Sequence, residues 1–156
     1  MSIAYLYSKY DELAELIKSR FLDFDDIVYC PPTIRFSEEI VLKKLKKIKY
    51  AIFLISKFNV SIDTKTLKRL KFLKENAKKI FVIIPHNKKI EMLEDSKNVK
   101  FIRYKKLDDL IDYSLALLKK KKSNSVPVYK IALIYTLMML YYEKFSRKKH
   151  SEGRYG

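Results

Sequence analysis

Short apolar runs alternate with amphipathic stretches over the first 118 residues of the chain. The apolar runs cover residues 3–7, 26–30, 50–55, 80–84 and 99–104. The stretches between them carry apolar residues at the spacing of one helical face. This alternation is typical of a parallel sheet with both faces covered. Because such crossovers are right-handed, five units predict a flavodoxin-like α/β fold, a three-layer sandwich on a five-stranded parallel sheet in the order 2-1-3-4-5.

The rest of the chain departs from this pattern and divides into three segments. Residues 119–125 form a predicted basic linker, residues 126–146 an apolar helix and residues 147–156 a flexible basic tail. Between Ile131 and Tyr142 the one polar side chain is Thr136. A helix without a polar face needs cover on most sides. We favour burial against a second copy, which predicts a homo-oligomer; packing on the parent domain and contact with a membrane are the alternatives.

The chain carries a large excess of positive charge, +16 at pH 7. Half of this excess lies in residues 119–156, which hold ten basic and two acidic residues. Such a balance favours acidic partners, either nucleic acid or an anionic membrane surface, with a solvated lysine-rich surface as the alternative. Lysine outnumbers arginine 28 to 6, and Gln and Trp are absent, which is typical of a heat-adapted organism.

The predicted fold places the helices that follow the second and third strands side by side on one face of the sheet. Their basic residues therefore form one patch, suited to phosphate backbones and without the means to read bases. The residues that we assign to this patch are Lys43, Lys44, Lys47, Lys65, Lys68 and Arg69. The patch predicts sequence-nonspecific binding of nucleic acid.

A second candidate site lies where the chain leaves the first and third strands. Ligands of doubly wound sheets bind at this edge, because the direction of winding reverses between these strands. Each exit offers a hydroxyl, an ammonium and an aromatic ring, a set that suits a nucleotide. The ligand-binding residues that we predict are Ser8, Lys9, Tyr10, Ser56, Lys57, Phe58 and Asn59. In the alternative interpretation each serine caps the next helix and each lysine points to water.

The composition excludes several kinds of site. The two glycines, Gly153 and Gly156, lie in the tail, so a P-loop, a Rossmann phosphate turn and a Gly-x-Ser-x-Gly elbow are all excluded. His86 and His150 have no Cys, Asp or Glu at metal-ligand spacing, so we predict neither a metal site nor a cofactor. The single cysteine, Cys30, and the lack of a secretory signal predict a cytoplasmic protein, peripheral to the membrane if the apolar helix binds lipid.

Several segments of the α/β region resemble Toll/interleukin-1 receptor (TIR) domains. They are residues 4–8 followed by Asp11, residues 50–56 with Ser61 beyond them, and residues 79–85. The resemblance covers the chain up to residue 118, and its short motifs are shared with other flavodoxin-like groups, including nucleoside deoxyribosyltransferase-like proteins. It implies that residues 31–36 correspond to the family's exposed loop, which mediates self-association and covers the nucleotide site.

The resemblance also bears on catalysis. TIR domains that cleave NAD carry a glutamate early in the helix after the third strand, and the matching residues 61–67 contain none. Glu75 comes two turns too late to face the same crevice, and Asp63 is interpreted as a helix cap. We therefore expect a non-catalytic TIR-like interaction or nucleotide-sensing module that self-associates. Nonspecific nucleic-acid binding is one alternative, and an enzyme of NAD or nucleoside glycosidic bonds is the other.

Overall fold

The computed structural model describes residues 3–7, 13, 15–17, 27–30, 38–55, 61–119 and 127–154. The chain divides into two compact units, Met1–Arg103 and Tyr104–Gly156. The division falls at the end of the last strand, so the helix that follows it belongs to the second unit. The alternation of apolar and amphipathic stretches predicts that residues 104–118 belong to the α/β domain.

The first unit is built on a sheet in the order β2-β1-β3-β4-β5. Its strands are β1 (Ile3–Tyr7), β2 (Ile27–Cys30), β3 (Tyr50–Leu54), β4 (Lys79–Pro85) and β5 (Val99–Tyr104). Parallel pairing with a defined register joins β2 to β1, β1 to β3 and β3 to β4. The prediction of a parallel α/β sheet is therefore confirmed for four strands, and the arrangement is compatible with a flavodoxin-like fold.

The central strands are buried along their whole length, which explains their sequences. Every residue of β1 and β3 is buried, as are residues 80–84 of β4. A strand with both faces covered has no solvent-facing side for polar residues, so its sequence is a continuous apolar run. The predicted limits of β1 and β5 agree with the structure. β2 and β3 differ by one residue at one end, and β4 by one residue at each end.

Helices alternate with the strands of the first unit. Residues 13 and 15–17 are helical and mark the first helix, α1. It is followed by α2 (Glu38–Leu45), α3 (Thr64–Asn76) and α4 (Glu91–Glu94). Alternate residues of β1, β3 and β4 form one hydrophobic cluster with α2, α3 and α4, which includes Phe53, Leu45 and Leu70. Because α2 and α3 contribute to the same cluster and contact each other, the predicted adjacency of these helices is confirmed.

The start and the inner face of α3 differ from the prediction. Asp63 occupies the N-cap position, but its side chain makes no capping hydrogen bond; the helix begins with the bond from Leu67 N–H to the Asp63 carbonyl, 3.1 Å. The apolar spacing of Leu67 and Leu70 predicts that Leu67 faces inward. It is only half-buried, whereas Thr66 and Arg69 are fully buried. The inner face of α3 includes these polar residues because Arg69 has an acidic partner on α2.

The second unit consists of α5 (Leu107–Lys119) packed against α6 (Val128–Arg154). Asp109 is the third residue of α5, and its carboxylate accepts hydrogen bonds from the backbone N–H groups of Lys105 and Lys106, at 2.8 and 2.9 Å. The bond to Lys106 is the one that the third residue makes in a capping box, and it fixes the start of the helix. The buried hydroxyls of Ser114 and Thr136 donate to backbone carbonyls one turn earlier, at 2.9 and 2.8 Å. Burial of these two polar side chains is therefore compensated within each helix.

The C-terminal helix is longer and less uniformly apolar than predicted. Helical structure continues through the basic residues 147–154, where the sequence analysis expected a flexible tail. Within the apolar stretch, Leu133, Leu137 and Leu140 are buried, whereas Tyr135 and Tyr142 are exposed. The structure therefore does not contain the predicted apolar helix over residues 126–146. No helix of the described residues has the length and apolar character needed to cross a membrane.

Candidate functional site

The predicted nucleotide-binding residues lie outside the described residues of the structure. This holds for all of Ser8, Lys9, Tyr10, Ser56, Lys57, Phe58 and Asn59. The strands that lead into them are described, and their last residues, Tyr7 and Leu54, are partners in the parallel register. The chain therefore leaves β1 and β3 at the same edge of the sheet, the edge where ligands of such sheets bind.

The described residues place an extensive basic surface on α2, α3 and the turn after α2. We call it the lysine face. Its members are the exposed side chains of Lys43, Lys44, Lys46, Lys47, Lys49, Lys65, Lys68 and Lys71. Five of the six predicted nucleic-acid-binding residues belong to it. In residues 38–49 and 64–76, the exposed acidic side chains are Glu39 and Glu75, so positive charge predominates.

Arg69 is the predicted nucleic-acid-binding residue that does not belong to the lysine face. Its side chain is fully buried, and its guanidinium Nη2 donates to Oε1 of Glu38 at the start of α2. A guanidinium is buried only when a hydrogen-bonded charge partner offsets its desolvation. Arg69 therefore ties α3 to α2 beneath the lysine face and, unlike the other five predicted residues, presents no exposed side chain.

Several charges of the lysine face are uncompensated. Among the described residues, Lys43, Lys65 and Lys68 have no ion-pair partner. Lys74 behaves differently, because its ammonium donates to the Met92 carbonyl at 2.9 Å on the flank of α3 that meets α4. The Asn98 amide secures this flank by donating to the carbonyls of Lys74 and Ala77, both at 3.0 Å. The lysine face thus lies on the solvent and α2 sides of α3.

Two buried polar atoms at the start of α3 lack hydrogen-bond partners among the described residues. They are Oδ1 of Asp63 and Oγ1 of Thr66. The two residues are three apart and so lie on neighbouring positions of the helix surface. Their segment follows β3, at the carboxyl edge of the sheet. A carboxylate oxygen and a hydroxyl could accept and donate hydrogen bonds to a polar ligand there.

A shallow pocket of about 460 Å³ lies between the start of α3 and the segment that connects β4 to α4. Its lining is mostly apolar, with two lysines and one glutamate, and consists of Ile62, Leu67, Lys88, Lys89, Ile90, Glu91 and Met92. The described residues contain no group of three or more His, Cys, Asp or Glu side chains able to hold a metal ion.

The buried ion pair and the pocket were not predicted from the sequence. The signal for the ion pair is the stripe 66-69-70-73, the face that α3 actually buries. An interpretation based on hydrophobicity passes over it, because two of its four residues are polar. The pocket depends on a chain segment after β4 with no periodic pattern, so its lining residues carried no signal. Comparison of the chain with protein-family models, with curated proteins and with solved structures gives no match.

Proposed function

We propose that the chain is a non-catalytic interaction module with a flavodoxin-like three-layer fold, and that its lysine face binds the phosphate backbone of nucleic acid. The observation that carries the proposal is the set of exposed lysines on two contacting helices, with few acidic side chains among them. Because α2 and α3 are joined by the Glu38–Arg69 ion pair, their lysines form one fixed surface.

The chemistry of the lysine face favours phosphates over bases. A lysine ammonium is a point charge on a long side chain, so it attracts a phosphate without imposing the planar geometry that arginine uses to read guanine. Binding of this kind releases counterions and is independent of sequence. The one arginine near the face, Arg69, is buried and takes no part in such contacts.

The absence of catalysis is part of the proposal. In the TIR-like alignment of residues 61–67, the positions that match the family's glutamate region hold a buried Thr66 and a half-buried Leu67. Neither side chain can supply the negative charge that stabilises a glycosyl cation. Incubation of the full chain with NAD tests this step, because nicotinamide release would identify an enzyme and contradict the proposal.

The binding test compares two duplexes of unrelated sequence. We expect the full chain to bind both with the same affinity, measured by fluorescence anisotropy at low salt. The variant Lys65→Gln/Lys68→Gln should bind both more weakly, because it removes two uncompensated charges from the lysine face. The control Lys97→Gln/Lys106→Gln removes the same charge from exposed lysines outside this face and should bind like the wild type. Equal weakening in both variants would mean that net charge alone is responsible.

Nucleotide sensing at the carboxyl edge is the second candidate, favoured by the buried polar atoms of Asp63 and Thr66 that lack partners among the described residues. A bound nucleotide could satisfy them with its ribose hydroxyls, while Lys9 and Lys57 hold its phosphates. Calorimetric titration with ATP and with NAD tests this idea. Loss of binding in both Thr66→Val and Lys9→Ala/Lys57→Ala would support this candidate. Unchanged binding in Lys9→Ala/Lys57→Ala would contradict the prediction that these lysines line a nucleotide site.

A further inference from the structure

The C-terminal helix exposes four large apolar side chains. They are Tyr135, Met138, Tyr142 and Phe145, with exposed fractions of 45%, 37%, 62% and 38%. We call this set the α6 seam. Single exposed apolar residues are common on protein surfaces, but a contiguous group marks an interaction surface.

The members of the α6 seam are spaced three, four and three residues apart. This is the spacing of the a and d positions of a heptad repeat, which places all four on one face of the helix. At 100° per residue, this face lies opposite Leu133, Leu137 and Leu140, which are buried. The helix therefore has one apolar face that is already covered and a second with the pattern of a helix-helix contact.

The charge pattern of α6 indicates which partner helix fits. Residues 131–142 are the longest stretch of the chain without Asp, Glu, Lys or Arg. A chain of net charge +16 repels its own copies wherever charged surfaces meet, and this repulsion is weakest along such a stretch. The positions that flank the seam, including Ile134, Met139 and Tyr141, are uncharged as well. They cannot form the ion pairs that would favour a charged partner helix.

The spacing of the seam and the charges beyond it also define an orientation. Basic residues follow the seam at Arg147, Lys148 and Lys149, and a parallel pair of helices would bring these together. An antiparallel pair keeps them at opposite ends. In that arrangement a two-fold axis near residue 140 places Tyr135 opposite Phe145 and Met138 opposite Tyr142, so that the same surface of both copies is used.

We propose that the α6 seam is a self-association surface, on which the α6 helix of a second copy docks in the antiparallel direction. The contact extends along about 15 Å of helix, the rise of the ten residues from Tyr135 to Phe145. It involves α6 alone and does not depend on binding of nucleic acid by the lysine face.

Molar mass over a range of concentrations tests the proposal. We expect the full chain, whose monomer mass is 18.6 kDa, to form a dimer as its concentration rises, by light scattering during gel filtration in about 0.5 M salt. Salt at this level screens contacts bridged by nucleic acid but leaves an apolar contact intact. Met138→Lys should be monomeric, because it places a charge in the seam while keeping a helix-forming residue. The control Ile40→Lys adds the same charge at an exposed apolar residue of α2 and should remain dimeric.

Cysteine cross-linking tests the orientation, in a Cys30→Ser background. The antiparallel arrangement predicts a disulfide when the Tyr135→Cys and Phe145→Cys variants are mixed, and none from Tyr135→Cys alone, whose two thiols would be separated by ten residues of helix rise. A disulfide from Tyr135→Cys alone would contradict the proposed docking. A monomer at all concentrations would overturn the proposal. So would retained dimerisation of Met138→Lys, or a monomer that binds phosphatidylglycerol vesicles through the seam.

Discussion

At the scale of single residues, the Glu38–Arg69 ion pair joins the two helices that carry the lysine face. Arg69 is fully buried, and the Glu38 side chain is one-third exposed, so the pair is partly shielded from water. Loss of one partner of a buried pair leaves the other charge uncompensated, which costs more than the pair itself contributes.

We predict that Glu38→Gln destabilises the protein by about 2 to 3 kcal/mol, at or just below the range for buried pairs because Glu38 is partly exposed. Glu39→Gln changes the adjacent exposed residue in the same way and should cost less than about 0.5 kcal/mol. Urea unfolding followed by circular dichroism measures both. Equal effects of the two substitutions would show that the ion pair does not hold α2 to α3.

Tyr104 makes stability depend on pH in the alkaline range. Burial of its phenol, and then the negative charge of Glu143, raise its pKa above the usual value of 10.0. Below that value both folded and unfolded states hold the proton, and the stabilisation is fully present. As the pH rises further, the unfolded state ionises first, so the free energy of unfolding falls.

Tyr104→Phe removes this titration. Between about pH 9 and about pH 11 its free energy of unfolding should fall by about 1 kcal/mol less than that of the wild type. Tyr113→Phe, at a half-buried tyrosine of the same unit that lies outside the α6 seam, is the matched control. If the wild type, Tyr104→Phe and the control lose stability in parallel, the role assigned to Tyr104 is wrong.

Sequence alone identified the exposed lysines but not the buried arginine. Lys43, Lys65 and Lys68 lie on the polar sides of amphipathic helices, and long charged side chains there are exposed unless a specific partner draws them inward. Arg69 has such a partner in Glu38, thirty-one residues earlier. The stripe through Thr66, Arg69 and Leu70 marks the inner face of α3, but no local pattern identifies a partner thirty-one residues away, so only the packing of α2 against α3 reveals the pair.

At the scale of elements, the strands were predicted better than the helix surfaces. A central strand of a parallel sheet is buried on both faces, and its continuous apolar run reports this directly. For α3, the apolar stripe through Leu67 and Leu70 competed with the stripe through Arg69 and Leu70, and tertiary packing selected the second. The extent of α6 was missed because residues 147–154 carry no apolar periodicity, although lysine and arginine are good helix formers.

The starts of α3 and α5 give a matched pair for testing helix caps. The Asp63 side chain makes no capping bond, whereas the Asp109 carboxylate accepts two backbone hydrogen bonds. We predict that Asp63→Ala changes stability by less than about 0.5 kcal/mol and that Asp109→Ala costs about 1 kcal/mol. Thermal unfolding of both variants provides the comparison. A larger loss of stability in Asp63→Ala would mean that this carboxylate has a stabilising partner.

At the scale of the whole molecule, the composition of the chain is a poor guide to where it divides into compact units. The basic linker at residues 119–125 is conspicuous in the sequence and suggested a boundary there. The boundary between the compact units instead falls between Arg103 and Tyr104, because α5 makes its main helix contact with α6. Composition reports where a chain is polar, whereas a unit is defined by which elements pack together, and that information is not local.

The salt dependence of nucleic-acid binding tests the role of the lysine face most directly. For the full chain on a DNA duplex, we predict a steep linear fall of log K with log salt concentration. In Lys65→Gln/Lys68→Gln the slope should be shallower by about 2, because two fewer lysines neutralise phosphates, and in Lys97→Gln/Lys106→Gln it should be unchanged. A slope that is the same for the wild type and Lys65→Gln/Lys68→Gln would contradict the account.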